Sequence, residues 1–363
     1  MADHRRAPPP QAPNPAQHPN NDGLFSMLKS FANINCSETY GTVVPAIALM
    51  LIAAMTIPIS TRAQQALLLS AGPLDSNYFT IAGLLCREYR EARPAGAPTC
   101  SIQASAGSGD NITRLNNAEI SFGLVQSDWQ FHAVNGLTRF EETGPDQGLR
   151  AAFSLYPISI SAMVREDSDI RTFEEVREKL VGIGPVDSGT SEIFRVILGA
   201  LGWTDGDFAE VMRLPNSSLA EALCQGRVNA TLYLTPHPAQ MIRNALDSCP
   251  MRFVPMIGTA VDGLVAEFPY YVRTQVSNAT YAIPGDAFFN TFGLVLTVTT
   301  HQRVPDDVVY DFVRTIFARR EALRGSHPLL AGLEVERMAN DGVSAPLHPG
   351  ALRYFLESGL LLE

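Results

Sequence analysis

The sequence predicts an α/β protein of two lobes, each a mostly parallel sheet flanked by helices, with a ligand cleft between the lobes. Three observations support this fold class. The 363 residues exceed what one hydrophobic core usually supports. Strand-like and helix-like segments alternate from residue 65 onward in two similar series. Each series contains one glycine turn between a short apolar run and a helical pattern.

The first series reads strand, helix, strand, helix, strand. Its segments are 66–71, 78–90, 99–104, 111–117 and 120–125. The strand segments are short and apolar or alternating, whereas the helix segments have apolar residues at helical spacing. This order predicts a parallel sheet with helices on both faces. The extended run 155–165 then predicts a strand that leads out of the first lobe.

The second series repeats this order. Thr172 and Glu175 have the spacing of a helix capping box. The alternating strands and helices that follow are 181–184, 191–202, 211–214, 217–225 and 228–234. A strand over 292–300 is expected to return to the first lobe. A helix over 305–323, with Pro305 in its first turn, and a last helix over 351–360 complete the chain. We therefore expect one lobe from residues 64–159 and 291–363, and the other from residues 160–290.

The N-terminal part has a different composition. Residues 43–59 carry no charge, contain two prolines and are slightly short for a membrane span. Small residues before Ala63 predict an export signal that is cut there, and an uncleaved membrane anchor is the alternative. Prolines between residues 8 and 19 predict a disordered extension, so residues 1–63 lie outside the two lobes. A translation start at Met27 would leave Lys29 as the positive charge of the signal.

Charge and cysteine content limit the partners and the compartment. The formal net charge of −10 argues against nucleic acid or anionic lipid as a partner. Beyond residue 63 the even set Cys86, Cys100, Cys224 and Cys249 suits an oxidising compartment. Spacing favours the pairs Cys86 with Cys100 and Cys224 with Cys249. Other connectivities and buried free thiols stay open.

No catalytic motif is recognisable. The turn 184–190 lacks the lysine of a phosphate-binding P-loop, and Gly107-Ser108-Gly109 lacks the third glycine of a dinucleotide-binding turn. It also lacks the pattern of a hydrolase nucleophile elbow. The scattered histidines include no H-E-x-x-H pair. The sequence therefore predicts a binding protein without catalytic site or cofactor; no metal ligands are assigned, and a metal that assists binding stays open.

The glycine turns favour anion binding. Ser105 and Ser108 in the first turn, and Ser188 and Thr190 in the second, offer hydroxyl groups beside backbone N–H groups at helix starts. This combination suits carboxylate oxygens. An ordinary helix cap is the alternative for each residue.

Other polar residues near predicted strand ends or helix starts are candidates to orient a ligand. They are Asn111, Gln126, Asp128 and Tyr233. Arg114 and Arg150 are the nearest candidates for a carboxylate clamp, although helical surface positions explain them equally well. Trp129 and Trp203 are expected to be packing residues.

Several motifs in fixed order carry a family resemblance. They are Gly72 with Asn77-Tyr78, Gly107-Ser108 with Asn111, Phe122-Gly123 with Gln126 and Asp128, Ser188-Gly189-Thr190, and Leu347-His348-Pro349-Gly350-Ala351 with Tyr354, Glu357 and Gly359. Over residues 66–360 the chain resembles the TAXI group of solute receptors, which serve tripartite ATP-independent periplasmic (TRAP) transporters.

The resemblance implies a two-lobed, type II-like periplasmic binding protein. Such a receptor captures a small organic acid, for example an amino acid such as glutamate or a dicarboxylate, and delivers it to a membrane permease. By matching position the first lobe would contribute Gly72, Asn77, Tyr78, Ser105, Gly107, Ser108, Asn111 and Gln126. The second lobe would contribute Ser188, Gly189 and Thr190, with Tyr233 as a weaker candidate. Residues 348–351 would seat the last helix.

Two positions depart from the family pattern. Asn77 replaces a glycine before Tyr78, and Thr235-Pro236-His237-Pro238 lacks its usual glycine. Both lie near the expected cleft, where side chains determine which ligand binds. A membrane-anchored ligand sensor and an enzyme on the same two-lobed scaffold are the alternative functions.

Overall fold

A computed structural model describes residues 66–186, 188–284 and 288–361 of the chain. Their ten strands form one sheet in the order β2-β1-β3-β10-β4-β7-β5-β6, with β8 beside β4 and β9 beside β10. The strands are β1 Leu67–Ser70, β2 Cys100–Gln103, β3 Phe122–Gln126, β4 Leu149–Arg165, β5 Leu180–Ile183, β6 Glu210–Arg213, β7 Ala230–Thr235, β8 Met251–Val254, β9 Val272–Ser277 and β10 Phe288–His301.

Helices flank this sheet. They are α1 Asn77–Ala92, α2 Ser108–Asn116, α3 Ser127–Asn135, α4 Gly189–Leu201, α5 Asn216–Cys224, α6 Gln240–Ser248, α7 Thr259–Glu267, α8 Asp306–Ala318, α9 Arg320–Ser326, α10 Val335–Asn340 and α11 Pro349–Glu357. The predicted mixed α/β class is confirmed.

Both predicted series are present. The first is β1-α1-β2-α2-β3, and β1 pairs in parallel with β2 and with β3. The second is β5-α4-β6-α5-β7, and β5 pairs in parallel with β6 and with β7. The periodicity of the sequence was therefore a sufficient guide to both parallel units.

Two long antiparallel strands join the parallel units. Residues 296–299 of β10 pair with β3, whereas residues 288–293 pair with β9. β4 pairs with β10 along residues 149–159 and with β7 along residues 159–164. The two strands are thus shared by both halves of the sheet. The lobe boundaries at residues 159/160 and 290/291, which fall within these strands, stay a prediction.

Several elements differ from the prediction. α3, α6, β8, α7, β9 and α10 were not predicted. Thr172 begins only a single 3₁₀ turn, in which the Glu175 carboxylate accepts a hydrogen bond from Thr172 N at 3.3 Å. The predicted helix 305–323 is two helices, because the chain leaves helical geometry at Arg319. Pro305 precedes the first turn as the cap residue, with an extended ψ of 139°, which corrects its predicted position.

Both favoured disulfides are present. Cys86 on α1 bonds to Cys100 on β2, with Cα atoms 5.2 Å apart. Cys224 at the end of α5 bonds to Cys249 after α6, with Cα atoms 5.8 Å apart. Each bridge ties a helix to the segment beside it.

The terminal motif seats the last helix. His348 is buried; its Nε2 lies 3.0 Å from Val304 O, and its Nδ1 accepts from Gly350 N at 3.1 Å. Gly350 lies directly against the Asp306 carbonyl at the start of α8, where a side chain would not fit. This motif therefore holds α11 against α8.

The predicted extension and export signal at residues 1–63 lie outside the described residues. Within the described part of the chain, no helix combines the length and the apolar character that a membrane crossing needs.

A substitution at Gly293 tests the shared strands. Gly293 of β10 pairs with Ser159 of β4, and a Cβ at Gly293 would overlap the Ile158 carbonyl. We expect Gly293→Ala to lower the free energy of unfolding by about 1–3 kcal/mol in urea titrations, the usual cost of overpacking. Gly199→Ala, at a helical glycine with open space around it, is the control and should not destabilise the protein. Equal unfolding free energies for the two variants would contradict a tight strand crossing.

Candidate functional site

A cavity of about 570 Å³ opens where several strands end. Its wall is formed by segments that follow β1, β2, β3 and β7. The lining residues are Pro73, Ser76, Asn77, Tyr78, Ala106, Gly107, Ser108, Gly109, Asp110, Gln126, Trp129, Arg139 and Pro236. Ligands of α/β sheets commonly bind at the carboxyl ends of strands, so this is the candidate ligand site.

The segment after β1 supplies the first part of the wall. The Ser76 hydroxyl caps α1 by accepting from Phe79 N at 3.2 Å, and it donates to Pro73 O at 2.6 Å. The exposed Asn77 is the first residue of α1 and lines the cavity. Gly72 lies just outside the lining, where a Cβ would come within 2.9 Å of Ser76 Oγ. Glycine therefore permits this tight entry into the helix.

Tyr78 and Gln126 form a polar pair in the wall. Gln126 Nε2 donates to the Tyr78 hydroxyl at 2.8 Å. Burial raises the pKa of Tyr78 well above its ordinary value of 10, so the phenol stays protonated. Because Tyr78 accepts from Gln126 with its oxygen, its own proton can be donated to a ligand acceptor.

The first glycine turn lies at the cavity, but part of its donor capacity is used internally. Ala106 N donates to the Asp110 carboxylate at 3.1 Å, and Gly107 N donates to Ser105 Oγ at 3.2 Å. Ser108 Oγ accepts from Gln126 N at 3.1 Å. Within the described residues no acceptor faces the N–H groups of Ser108 and Gly109 in the first turn of α2. The Asp110 N–H group of the same turn is likewise unbonded in the described part of the chain, so three backbone donors are left for an anion.

Two further predicted residues connect the turns behind the wall. Asn111 is completely buried, and its Nδ2 donates to Ala71 O at 2.6 Å and to Leu124 O at 2.8 Å. Ser105 Oγ donates to Ala71 O at 2.9 Å. Both residues thereby hold the loop after β1 in place, and neither lines the cavity.

The second glycine turn and Tyr233 lie outside the cavity wall. Ser188 Oγ caps α4 by accepting from Ser191 N at 3.2 Å. Thr190 is 3% exposed, and its Oγ1 accepts from Leu234 N at 3.1 Å. Gly189 packs near Leu234, and Tyr233 is 1% exposed in an apolar cluster with Leu219 and other side chains.

One cavity arginine was missed by the sequence analysis. Arg139 lines the cavity with its guanidinium carbon 4.8 Å from the centre of the Trp129 ring. The two arginines considered from sequence are engaged elsewhere. Arg114 bonds to Ser70 Oγ, Ala104 O and Gln103, and Arg150 bonds to Gln147 O, Leu149 O and Gln302. No sequence motif marks Arg139, because only the folded chain brings Trp129 into contact with it.

Asp128 lies beside the cavity wall without lining it. Burial, opposed by a hydrogen bond from Trp129 N and assisted by the charge of Glu192, raises the pKa of Asp128 to about 6. Its Oδ1 is buried and has no partner within the described residues. A carboxylate here costs folding free energy.

A serine, a histidine and a tyrosine form a second polar group near Pro236. His237 Nε2 lies 2.8 Å from Ser161 Oγ, and His237 Nδ1 lies 2.6 Å from the Tyr281 hydroxyl. These distances meet the geometric criterion for a nucleophile, base and orienting group. However, Ser161 is completely buried, and burial lowers the pKa of His237 to about 4. We therefore interpret the group as a link that holds the segment after β7.

Asp128→Asn tests the cost of this buried charge. The folded-state pKa lies above that of the unfolded chain, so stability is lost as pH rises from about 4 through about 6. At pH 7 we expect the free energy of unfolding of Asp128→Asn to exceed that of the native protein by about 1–2 kcal/mol, a range that allows for the partial exposure of this side chain. At pH 4 we expect almost no difference. Urea unfolding at both pH values measures this difference. The exposed Asp247→Asn is the control, and a pH-independent effect of Asp128→Asn would contradict the account.

Three solved structures are similar to the chain. A periplasmic sulfonate-binding protein from Methylobacillus flagellatus is 13% identical, with 82% of this chain and 88% of that chain covered and a TM-score of 0.45. The aliphatic sulphonate-binding protein of Escherichia coli is 14% identical, with 82% and 94% covered and a TM-score of 0.42. A TctC solute-binding protein from Polaromonas is 13% identical, with 75% and 88% covered and a TM-score of 0.49.

The family itself is identified from sequence. A profile described as the NMT1-like family matches residues 69–359, which include both parallel units except the first two residues of β1, and every residue of the cavity wall. The chain therefore belongs to the NMT1-like family.

Proposed function

We propose that the protein is an extracytoplasmic solute receptor that captures a small organic acid and delivers it to a membrane permease. The observation that carries the proposal is the cavity at the strand ends, where Tyr78, Gln126 and the first turn of α2 present hydrogen-bond donors. A cavity of about 570 Å³ has the size of a small-molecule site.

The donor chemistry supports an acid as the ligand. The wall offers the Ser108 and Gly109 N–H groups, the Tyr78 hydroxyl and the guanidinium of Arg139. Carboxylate and sulfonate oxygens accept such bonds strongly, because the acceptor is charged. An amino acid such as glutamate, a dicarboxylate and a sulfonate therefore belong to the candidate class.

We further propose that the second glycine turn reaches the ligand only when the lobes close. The two lobes would be residues 64–159 with 291–363, and residues 160–290. They share β4 and β10, so these two strands are where a hinge between the lobes would lie. Closure would bring Ser188, Gly189 and Thr190 toward a ligand held by Ser108. Pro236 already contributes the second lobe's part of the wall.

The partner and compartment follow from the same proposal. The TAXI resemblance favours a TRAP-type permease as the acceptor of the solute. Two disulfides and the uncharged segment 43–59 favour an exported, periplasmic protein. No catalytic step is proposed, since Ser161 beside His237 is inaccessible. No cofactor is proposed.

A ligand screen tests the function. We expect at least one of L-glutamate, succinate and ethanesulfonate to raise the melting temperature of the purified protein, because a ligand that binds only the native state stabilises it by mass action. At a hundredfold excess over its dissociation constant, the gain is about 2.7 kcal/mol. Neutral glycerol is the control compound. No shift with a broader set of amino acids, dicarboxylates and sulfonates would contradict the proposal.

Gln126→Leu tests whether the cavity is the binding site. The variant removes a cavity amide and leaves the Tyr78 hydroxyl without its donor. We expect the dissociation constant of each acid that binds to rise about tenfold or more, because the variant removes the second N–H of the Gln126 amide as a donor to the ligand, and a bond to a charged group is worth about 1.5–3 kcal/mol. Isothermal calorimetry gives the constants. Gln225→Leu, at the end of α5 and away from the cavity, should leave them unchanged, and an equal effect of both variants would place the site elsewhere.

A further inference from the structure

Arg139 has a free guanidinium at the cavity. It is the only basic residue among the described residues that line the wall. Within the described part of the chain it makes no hydrogen bond and no ion pair, so its five N–H donors are available. Arg177 provides the contrast: it lies 5.4 Å over Trp203 but is also paired with Asp207 at 2.6 Å. The charge of Asp128 interacts with Arg139, but the two groups form no ion pair within the described residues, so the stacked guanidinium can still pair with an incoming anion.

Trp129 holds Arg139 at this place. Its ring packs on Gly109, where an added Cβ would lie 2.7 Å from the ring. The Phe140 ring meets it edge-on at 6.0 Å between centroids. Gly109 belongs to the first turn of α2, so the ring that carries the guanidinium also packs against the start of this helix. The cation and the free N–H groups of Ser108 and Gly109 therefore line the same cavity.

The backbone around Arg139 is also tightly specified. Thr138 has φ of 54°, a left-handed conformation that a β-branched residue rarely adopts. Gly136 has φ of 63°, and a Cβ there would lie 2.7 Å from Pro145 N. Such conformations persist only where the surrounding structure enforces them. The turn that presents Arg139 is thus a fixed part of the fold.

We propose that Arg139 binds the oxyanion group of the ligand, a carboxylate or sulfonate, and that Trp129 seated on Gly109 positions it. This assignment rests on the proposed function and names the residue that selects acids over neutral solutes. Arg139 acts directly on the ligand, whereas Trp129 and Gly109 are positioning residues.

Trp129 is also a built-in reporter, because the chain contains only two tryptophans. In a Trp203→Phe background, fluorescence quenching by iodide, compared with neutral acrylamide at constant ionic strength, measures anion attraction to Trp129. We expect Arg139→Gln to lower the ratio of the two quenching constants about twofold, as expected for one screened charge about 5 Å away. Arg139→Lys keeps the positive charge, so the ratio should stay close to that of the native protein. Arg150→Gln, which removes the same charge outside the cavity, is the control and should leave it unchanged.

A pair of glycine variants tests the positioning role. We expect Gly109→Ala to displace the indole, shift its emission maximum and lower the iodide ratio, although alanine favours a helix more than glycine does. Gly199→Ala also adds a methyl group to a helical glycine, but in open space, and should change neither quantity. Unchanged emission in Gly109→Ala would overturn the positioning role.

Calorimetry separates this assignment from the proposed function. We expect Arg139→Gln to raise the dissociation constant of L-glutamate, succinate or ethanesulfonate, whichever binds the native protein, by at least tenfold. An unchanged iodide ratio, or an unchanged dissociation constant for an acid that binds the native protein, would overturn the role of Arg139. If the native protein binds no organic acid while Arg139 still attracts iodide, the proposed function fails and the anion-attracting role stands.

Discussion

The pairing of β4 with β10 is the constraint on which the rest of this structure depends. Both strands extend through both halves of the sheet and hydrogen-bond to each other over most of their length. The register admits no side chain at Gly293, because the Ile158 carbonyl occupies that space. Without this pair the two parallel units would be separate sheets. The wall segments after β3 and after β7 would then have no fixed relation to each other.

The parallel units place polar segments at the cavity for a simple geometric reason. Each unit runs its strands in one direction, so the segments after β1, β2 and β3 emerge at one edge. Buried polar contacts then set the spacing between them, notably the bonds from Asn111 to Ala71 O and Leu124 O. This side chain, which sequence reasoning placed among the ligand contacts, instead supports the loops from behind. In the sequence Asn111 follows a glycine turn, a position that is as typical of a ligand contact as of a buried residue. The sequence therefore did not indicate that Asn111 is buried.

Local signals in the sequence predicted most of the fold, and contacts between distant segments accounted for the remainder. Apolar periodicity located both parallel units, and cysteine spacing favoured the two disulfides that the structure contains. α3 was missed because its apolar residues show little helical periodicity. Five predicted residues, Asn77, Tyr78, Gly107, Ser108 and Gln126, line the cavity. The importance of Arg139 depends on the packing of Trp129 against Gly109, and no local pattern encodes that contact.

A crystal structure of the protein with a bound organic acid tests the central claim most directly. The account predicts ligand density in the cavity, with an oxyanion group within hydrogen-bonding distance of the Ser108 or Gly109 N–H groups and of the Arg139 guanidinium. It also predicts that the Ser188 turn lies closer to the Ser108 turn than in the structure described above. Density at a different surface, with the cavity filled only by water, would contradict the account.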